Sequence, residues 1–285
     1  MATTPTARID VLKTYKLFIG GAFPRSESGR VYAIKDSKGN HLANPSLASR
    51  KDLRDAVVAA RAAVSGWSAA TAYNRGQILY RMAEILEGRS EQLVSEIMAL
   101  EGVTPRIAAT QVQESVDLLV WYAGWSDKIS TLAGSTNSVS GPYYNFSTPE
   151  PIGVVAIFAA ANPSLLNFVG AIASVITSGN TAVVIAAEKF PLPAITFSEV
   201  MATSDLPAGV VNVLTGSSSE LAPWTASHMD IDAIDASGLT AKQLKDAQLA
   251  GAQNLKRIRV HTDIKSPERI LSFMETKTVW HPIGI

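Results

Sequence analysis

Two polar residues stand where α/β proteins do chemistry. Asn162 and Glu188 each follow an apolar run, GVVAIFA (153–159) and TAVVIA (181–186), that reads as a strand buried on both faces. Ligands bind beyond the carboxyl ends of such strands. Asn162 is either a donor to an oxyanion or a cap for the next helix. Glu188 is either a ribose contact or a carboxylate stabilised by a helix dipole. TGSSSE (215–220) lies between a strand and a helix, where backbone N–H groups could hold an anion or simply form an αβ loop. The histidines, His41, His228, His261 and His281, have no metal-ligand spacing, so structural or surface roles are expected and no metal site. GxGxxG, GxxxxGK[ST] and GxSxG are all absent. The chain has no cysteine, which excludes disulfides, thiolate metal sites and a thiol nucleophile.

Composition narrows the partners. Lys+Arg and Asp+Glu are both 25, with no basic block to suit nucleic acid or an anionic membrane. Hydrophobic residues make up 47% and charged residues only 18%, enough for a core and a hint of apolar surface covered by a partner. The longest apolar run, GVVAIFAAA (153–161), is too short to span a bilayer. The first residues, MATTPTARIDVLK, lack an apolar signal region, so a cytoplasmic location is expected. NFS (145–147) fits a glycosylation sequon that a cytosolic chain would not use.

The elements that must position these residues follow from periodicity. Residues 15–34 alternate around Gly-Gly and Ser-Glu-Ser-Gly turns and predict two or three short strands. Helices are predicted over 49–65, with Ser49 as N-cap, over 73–101, with a break at Gly88, and over 106–131. After a turn-rich segment (135–151), strands at 153–159, 181–186, 210–216, 231–235 and 256–261 alternate with helices at 164–177, 191–203, 218–227 and 240–254. That alternation predicts a doubly wound, mostly parallel α/β sheet. KTVW (277–280), five residues from the last residue, reads as an exposed edge strand.

The order of these pieces resembles the aldehyde dehydrogenase superfamily. FIGGAFPRSESG (18–29), EPIGVVAIFAAANPSLL (150–166), SGNTAVVIAAEKFPL (178–192), LPAGVVNVLTG (206–216), ASHMDIDAIDASG (226–238), NLKRIRVHTDIKSP (254–267) and FMETKTVWHP (273–282) match in family order. The resemblance implies the family's NAD-binding-domain fold with a protruding β arm for oligomerisation. It also implies that a catalytic domain, carrying the nucleophilic cysteine, belongs between KSP and the last strand. Here only residues 268–274 separate KSP from ETKTVW (275–280).

The resemblance likewise places the family's site residues. The oxyanion Asn falls on Asn162, but its Trp and Phe neighbours fall on Ala161 and Pro163. The lysine that holds the adenosine ribose falls on Ile185, and the second ribose contact on Glu188. The Gly-Ser pair that meets the pyrophosphate falls on Gly238-Leu239, and the general-base glutamate on His261. No catalytic set is therefore expected intact, with Asn162 and His261 as remnants. Vestigial cofactor contacts are expected at Glu188, Gly216 and Gly238, with no NAD(P) binding or weak binding.

The expected layout is a Rossmann-like domain (15–141 and 151–265), an arm (142–150 and 272–285) and a flexible N-terminus (1–14). The expected function is that of a pseudoenzyme, akin to the non-catalytic half of two-part aldehyde dehydrogenases. It forms homo-oligomers or hetero-oligomers with a full-length family member, which it scaffolds or regulates. A degenerate NAD(P)-binding module and an accessory subunit of an aldehyde-oxidising complex are the alternatives.

Overall fold

In the computed structural model, residues 12–284 are described. The flexible N-terminus expected over 1–14 falls outside the described residues as far as residue 11. Lys13 pairs with Glu199 at 3.0 Å and donates to Thr196 Oγ1 at 2.7 Å.

The opening segment forms less sheet than its alternation predicts. Gly20 and Gly21 both have positive φ (59° and 79°) and close a two-residue hairpin turn, around which only the Ile19–Ala22 pair and the Leu17 N to Pro24 O bond form. Phe18 instead adds to a later strand by a single antiparallel bridge to Val213. The first regular strands are β1 (Ile34–Lys35) and β2 (His41–Ala43), paired antiparallel.

Four helices follow: α1 (Arg50–Ala69), α2 (Ala72–Gly88), α3 (Ser90–Glu101) and α4 (Pro105–Trp125). Ser49 caps α1 in a capping box with Asp52, so the helix starts where the sequence predicts. It runs on to Ala69 because Trp67 is buried and bonds the carbonyl of Ile176. The break at Gly88 is realised, and Gly102, at φ 70°, ends α3. The single helix predicted over 106–131 divides into α4 and a five-residue α5 (Ile129–Ala133). Lys128 turns back onto the carbonyl of Gly124 near the end of α4, where a cation is favoured.

Three short elements lead to the core: β3 (Ser135–Asn137), β4 (Tyr143–Pro151) and β5 (Val154–Phe158). Beyond them lie α6 (Ser164–Thr177), β6 (Thr181–Ile185), α7 (Leu192–Ala202), β7 (Val211–Leu214), α8 (Ser218–Ser227) and β8 (Ala233–Asp235). The described chain closes with α9 (Ala241–Gly251), a 3₁₀ turn, β9 (Arg257–Arg259), α10 (Pro267–Leu271) and β10 (Met274–Pro282).

The main sheet is all parallel, in the order β7-β6-β5-β8-β9. Strand order reverses between β5 and β8, as in doubly wound folds. Every residue of β5, β6, β7 and β8 is buried, which explains the unbroken apolar run of β5 and the largely apolar character of the others. Helices α2, α3, α4, α6 and α7 pack on one face and α1, α8 and α9 on the other. A separate antiparallel sheet, β10-β4-β3, forms the arm. Its third strand comes from the segment predicted as turn. Asn137 Nδ2 donates to Asn145 Oδ1 (2.6 Å) and to Ser147 Oγ (2.9 Å), which fastens β3 to β4. Asn145, the sequon residue, is 2% exposed, so the folded arm shields it from a glycan.

Lys256 supplies a test of the packing. It is 8% exposed and donates to the carbonyls of His228 and Ile231. Burial is the main cause that lowers its pKa from 10.5 to about 8. The folded state therefore binds fewer protons than the unfolded chain above pH 8. This lysine makes stability rise with pH from about 8 to 10, and Lys256→Met should flatten that slope in urea titrations.

Candidate functional site

The carboxyl ends of β5, β6 and β8 hold the predicted site residues, but the chain occupies much of that edge itself. Gly238 donates to the carbonyl of Phe158 at 2.8 Å, at the point where strand order reverses. A Cβ there would collide with the carbonyls of Ala159 and Phe158, so glycine is required by the close crossing of two loops. Leu239 packs against the core cluster under α1. Gly216 has φ 147°, and a Cβ would stand 3.1 Å from Ala48 N. Both glycines thus serve chain-to-chain packing rather than an open cradle.

Two helix N-termini along this edge, those of α9 and α6, are already satisfied, whereas the caps of α7 and α8 make no side-chain bond. At α9, Thr240 caps Gln243 N, and Gln243 Oε1 accepts from Thr240 N at 2.9 Å. At α6 the N-cap is Pro163, which has no side-chain acceptor. Glu101 Oε1 takes Ser164 N at 3.0 Å and Gln111 Oε1 takes Leu165 N at 2.8 Å. These two acceptors reach in from α3 and α4, and no local motif announces them. Asn162 is exposed at the lip of a cavity of about 520 Å³ that Glu101, Gln111, Val103, Ile107 and Pro163 also line.

Glu188 is exposed beyond β6, while Ile185 is 1% exposed inside the core. Near Glu188 lies Tyr32, whose hydroxyl is buried without a partner. Burial, then the Glu188 carboxylate, raises the Tyr32 pKa. A ribose held here would find an acceptor in Glu188, while the position on which the family's lysine falls holds the buried Ile185.

The feature that sequence reasoning missed is a buried ion pair. Asp235, the last residue of β8, is 0% exposed, and its Oδ2 accepts from Arg269 Nη2 at 2.8 Å. Arg269, on α10, is 3% exposed. The other oxygen of Asp235 accepts from Ser237 N and Oγ. Ser237 Oγ in turn accepts from His261 N at 2.9 Å. His261 Nε2 lies 3.2 Å from Ser272 Oγ, and its ring meets Phe273 edge to face at 5.6 Å. Burial, the largest cause, lowers the His261 pKa. His261 and Asp235 thus converge on α10 and its exit, and Asn162 and Glu188 stand apart from them. The one advance signal was an acid, Asp235, closing an otherwise apolar strand.

The comparisons agree with this architecture. The aldehyde dehydrogenase family profile matches residues 23–281. Retinal dehydrogenase 2 of Mus musculus is 34% identical over 275 residues, covering 94% of this chain and 52% of that protein. An aldehyde dehydrogenase of Aspergillus niger is 32% identical over 274 residues, covering 94% of this chain and 54% of that one. The NAD+ complex of an aldehyde dehydrogenase from Bacillus cereus superposes with a TM-score of 0.81 at 26% identity, over 87% of this chain and 50% of that one.

The protein is therefore a doubly wound α/β module with a β arm, and the chain belongs to the aldehyde dehydrogenase family. It spans about half the length of the curated relatives it matches. It has no cysteine to supply a thiolate, and no cluster of potential metal ligands occurs among the described residues. The dinucleotide that the family fold implies finds a vestigial surface. Glu188 fits it, whereas buried Ile185, core-packed Leu239 and the capped start of α9 do not.

Removing one partner of the Asp235–Arg269 pair strands a buried charge, at a cost of about 3–5 kcal/mol. Asp235→Asn and Arg269→Met should each lower stability by that order in urea unfolding. The double variant Asp235→Ala/Arg269→Ile should recover most of the loss.

Proposed function

We propose that this chain is a non-catalytic aldehyde dehydrogenase-like subunit that oligomerises through its arm. In this reading it scaffolds or regulates a full-length, NAD-dependent aldehyde dehydrogenase in the cytoplasm. The observation that carries the reading is internal to the chain. α10, five residues long, is locked to β8 through Arg269 and leads directly into β10. The arm is thus kept where the family's catalytic domain is not. In this proposal the body comprises 15–141 and 151–265 and the arm 142–150 with 272–285, of which residue 285 lies outside the described residues; β3, which pairs with β4, extends the arm sheet. No helix among the described residues is long and apolar enough to cross a membrane.

Asn162 and His261 are remnants of a catalytic set in this proposal. Asn162 lacks a nucleophile beside it, and His261 is engaged with Ser272. Glu188, Gly216 and Gly238 are vestigial cofactor contacts. Exposed Glu188 favours one second reading, a degenerate NAD(P)-binding module. An accessory role in an aldehyde-oxidising complex is the form that reading takes when a partner supplies the cysteine.

Tagged in its host and purified gently, the chain should appear in native mass spectrometry in fixed ratio with a cysteine-containing family member. Recovery alone, or only with itself, rejects the scaffolding role. Calorimetry with NAD and NADP should give no heat up to millimolar ligand. Measurable heat that Glu188→Gln abolishes would favour the second reading.

A further inference from the structure

The arm sheet has one long open edge, and its backbone polarity can be read from two hydrogen bonds. Ile152 N donates to Phe273 O at 3.4 Å, and Ile283 N donates to Pro142 O at 2.8 Å. In an antiparallel ladder the bonded pairs alternate. Odd-numbered residues of β10 therefore spend their backbone groups on β4. The even-numbered residues, Met274, Thr276, Thr278 and Trp280, aim theirs away from the sheet.

That edge is bounded at both ends. Arg257 Nη1 donates to the outward carbonyls of Ser272 (3.1 Å) and Met274 (2.7 Å), which closes the first part. Pro282 has no N–H, which closes the last. Between them Thr276, Thr278 and Trp280 leave a bondable window centred on Thr278. The register with β4 is continuous over nine residues, without a bulge that would blunt the edge. Trp280 is 58% exposed beside it.

We propose that two copies of this chain join edge to edge through β10, antiparallel about Thr278, into one continuous sheet. The proposal rests on the oligomerisation reading above and names its partner as a second copy. About this axis Thr278 bonds Thr278 of the second copy, and Thr276 bonds Trp280. On the opposite face Glu275 meets His281 and Lys277 meets Val279, so no like charges oppose each other. Neighbouring registers are worse. An axis at Lys277 sets two ammonium groups face to face. An axis at Val279 or Trp280 places Pro282 opposite a carbonyl it cannot serve. An axis at Thr276 needs the Met274 carbonyl that Arg257 holds.

The absence of cysteine makes the register directly testable. On the axis the two Thr278 Cα atoms stand about 5.5 Å apart, inside the disulfide range of about 4.4–6.8 Å. The two Thr276 Cα atoms stand four residues out of register, about 14–15 Å apart. Oxidised Thr278→Cys should run as a covalent dimer in non-reducing gels, and Thr276→Cys should not. By sedimentation equilibrium the wild type should be dimeric. Thr278→Pro, which removes an outward N–H and spares the β4 ladder, should be monomeric with an unchanged circular dichroism spectrum. A monomeric wild type, or equal cross-linking of both cysteine variants, overturns the proposal. A monomer that still captures a full-length family member overturns only the self-pairing and leaves the function proposed above standing.

Discussion

Asp235 ends β8 with its carboxylate shielded from water, and Arg269 is the cation that makes this tolerable. A carboxylate buried without a partner would cost several kcal/mol, so the strand end and the helix that carries the arginine form together or not at all. The pair does more than cancel charge. Through Ser237 it touches His261, and through α10 it sets where the chain leaves the body. Ile270 and Phe273, buried on either side of that exit, supply the apolar half of the same lock. Asn180 Nδ2 then donates to the Phe273 carbonyl at 2.7 Å, which fixes the first residue before the arm.

The arm's orientation follows from that exit. β10 meets β4 along its whole length, and Thr278 Oγ1 lies 2.9 Å from Ser147 Oγ across the pair. The arm is stitched by hydroxyls and amides rather than by a core of its own. Tyr143 and Trp280, edge to face at 5.8 Å, remain largely exposed at its far end. Exposed aromatic area on a rigid sheet is characteristic of surfaces that bind other proteins. The body, by contrast, is sealed on both sheet faces by helices.

The carboxyl edge of the main sheet has become a place where the chain binds itself. Glu101, Gln111, Thr240 and Gln243 fill the N-terminal donor positions that an anion would otherwise seek. Gly238 brings two loops into contact instead of opening space between them. Each of these contacts is a satisfied polar group, so the starts of α6 and α9 have little unmet hydrogen-bonding capacity to offer a nucleotide. Glu188, the unpartnered Tyr32 hydroxyl and the starts of α7 and α8, which no side chain caps, are different.

Much of the body was legible in the residues. Largely apolar runs located β5, β6 and β7 because a strand covered on both faces admits few polar side chains. Ser49 and Gly88 marked helix ends because an N-cap needs a side-chain acceptor and glycine weakens a helix interior. The absence of cysteine and the seven-residue gap after KSP were readable with no structure at all. The split of α4 from α5, the third arm strand and the bridge at Phe18 were not readable, since each depends on a partner far away in the chain. The same holds for the site. Asn162 and Glu188 could be placed by position along their strands. Whether the start of α6 beside Asn162 was open depended on side chains arriving from α3 and α4. The sequence by itself determined the order of strands and helices and the lack of a thiol nucleophile, because both are local or compositional. Only the tertiary structure decided that Arg269 finds Asp235 and that the outer edge of β10 meets no other described strand of its own chain, because burial and pairing exist only once distant segments meet.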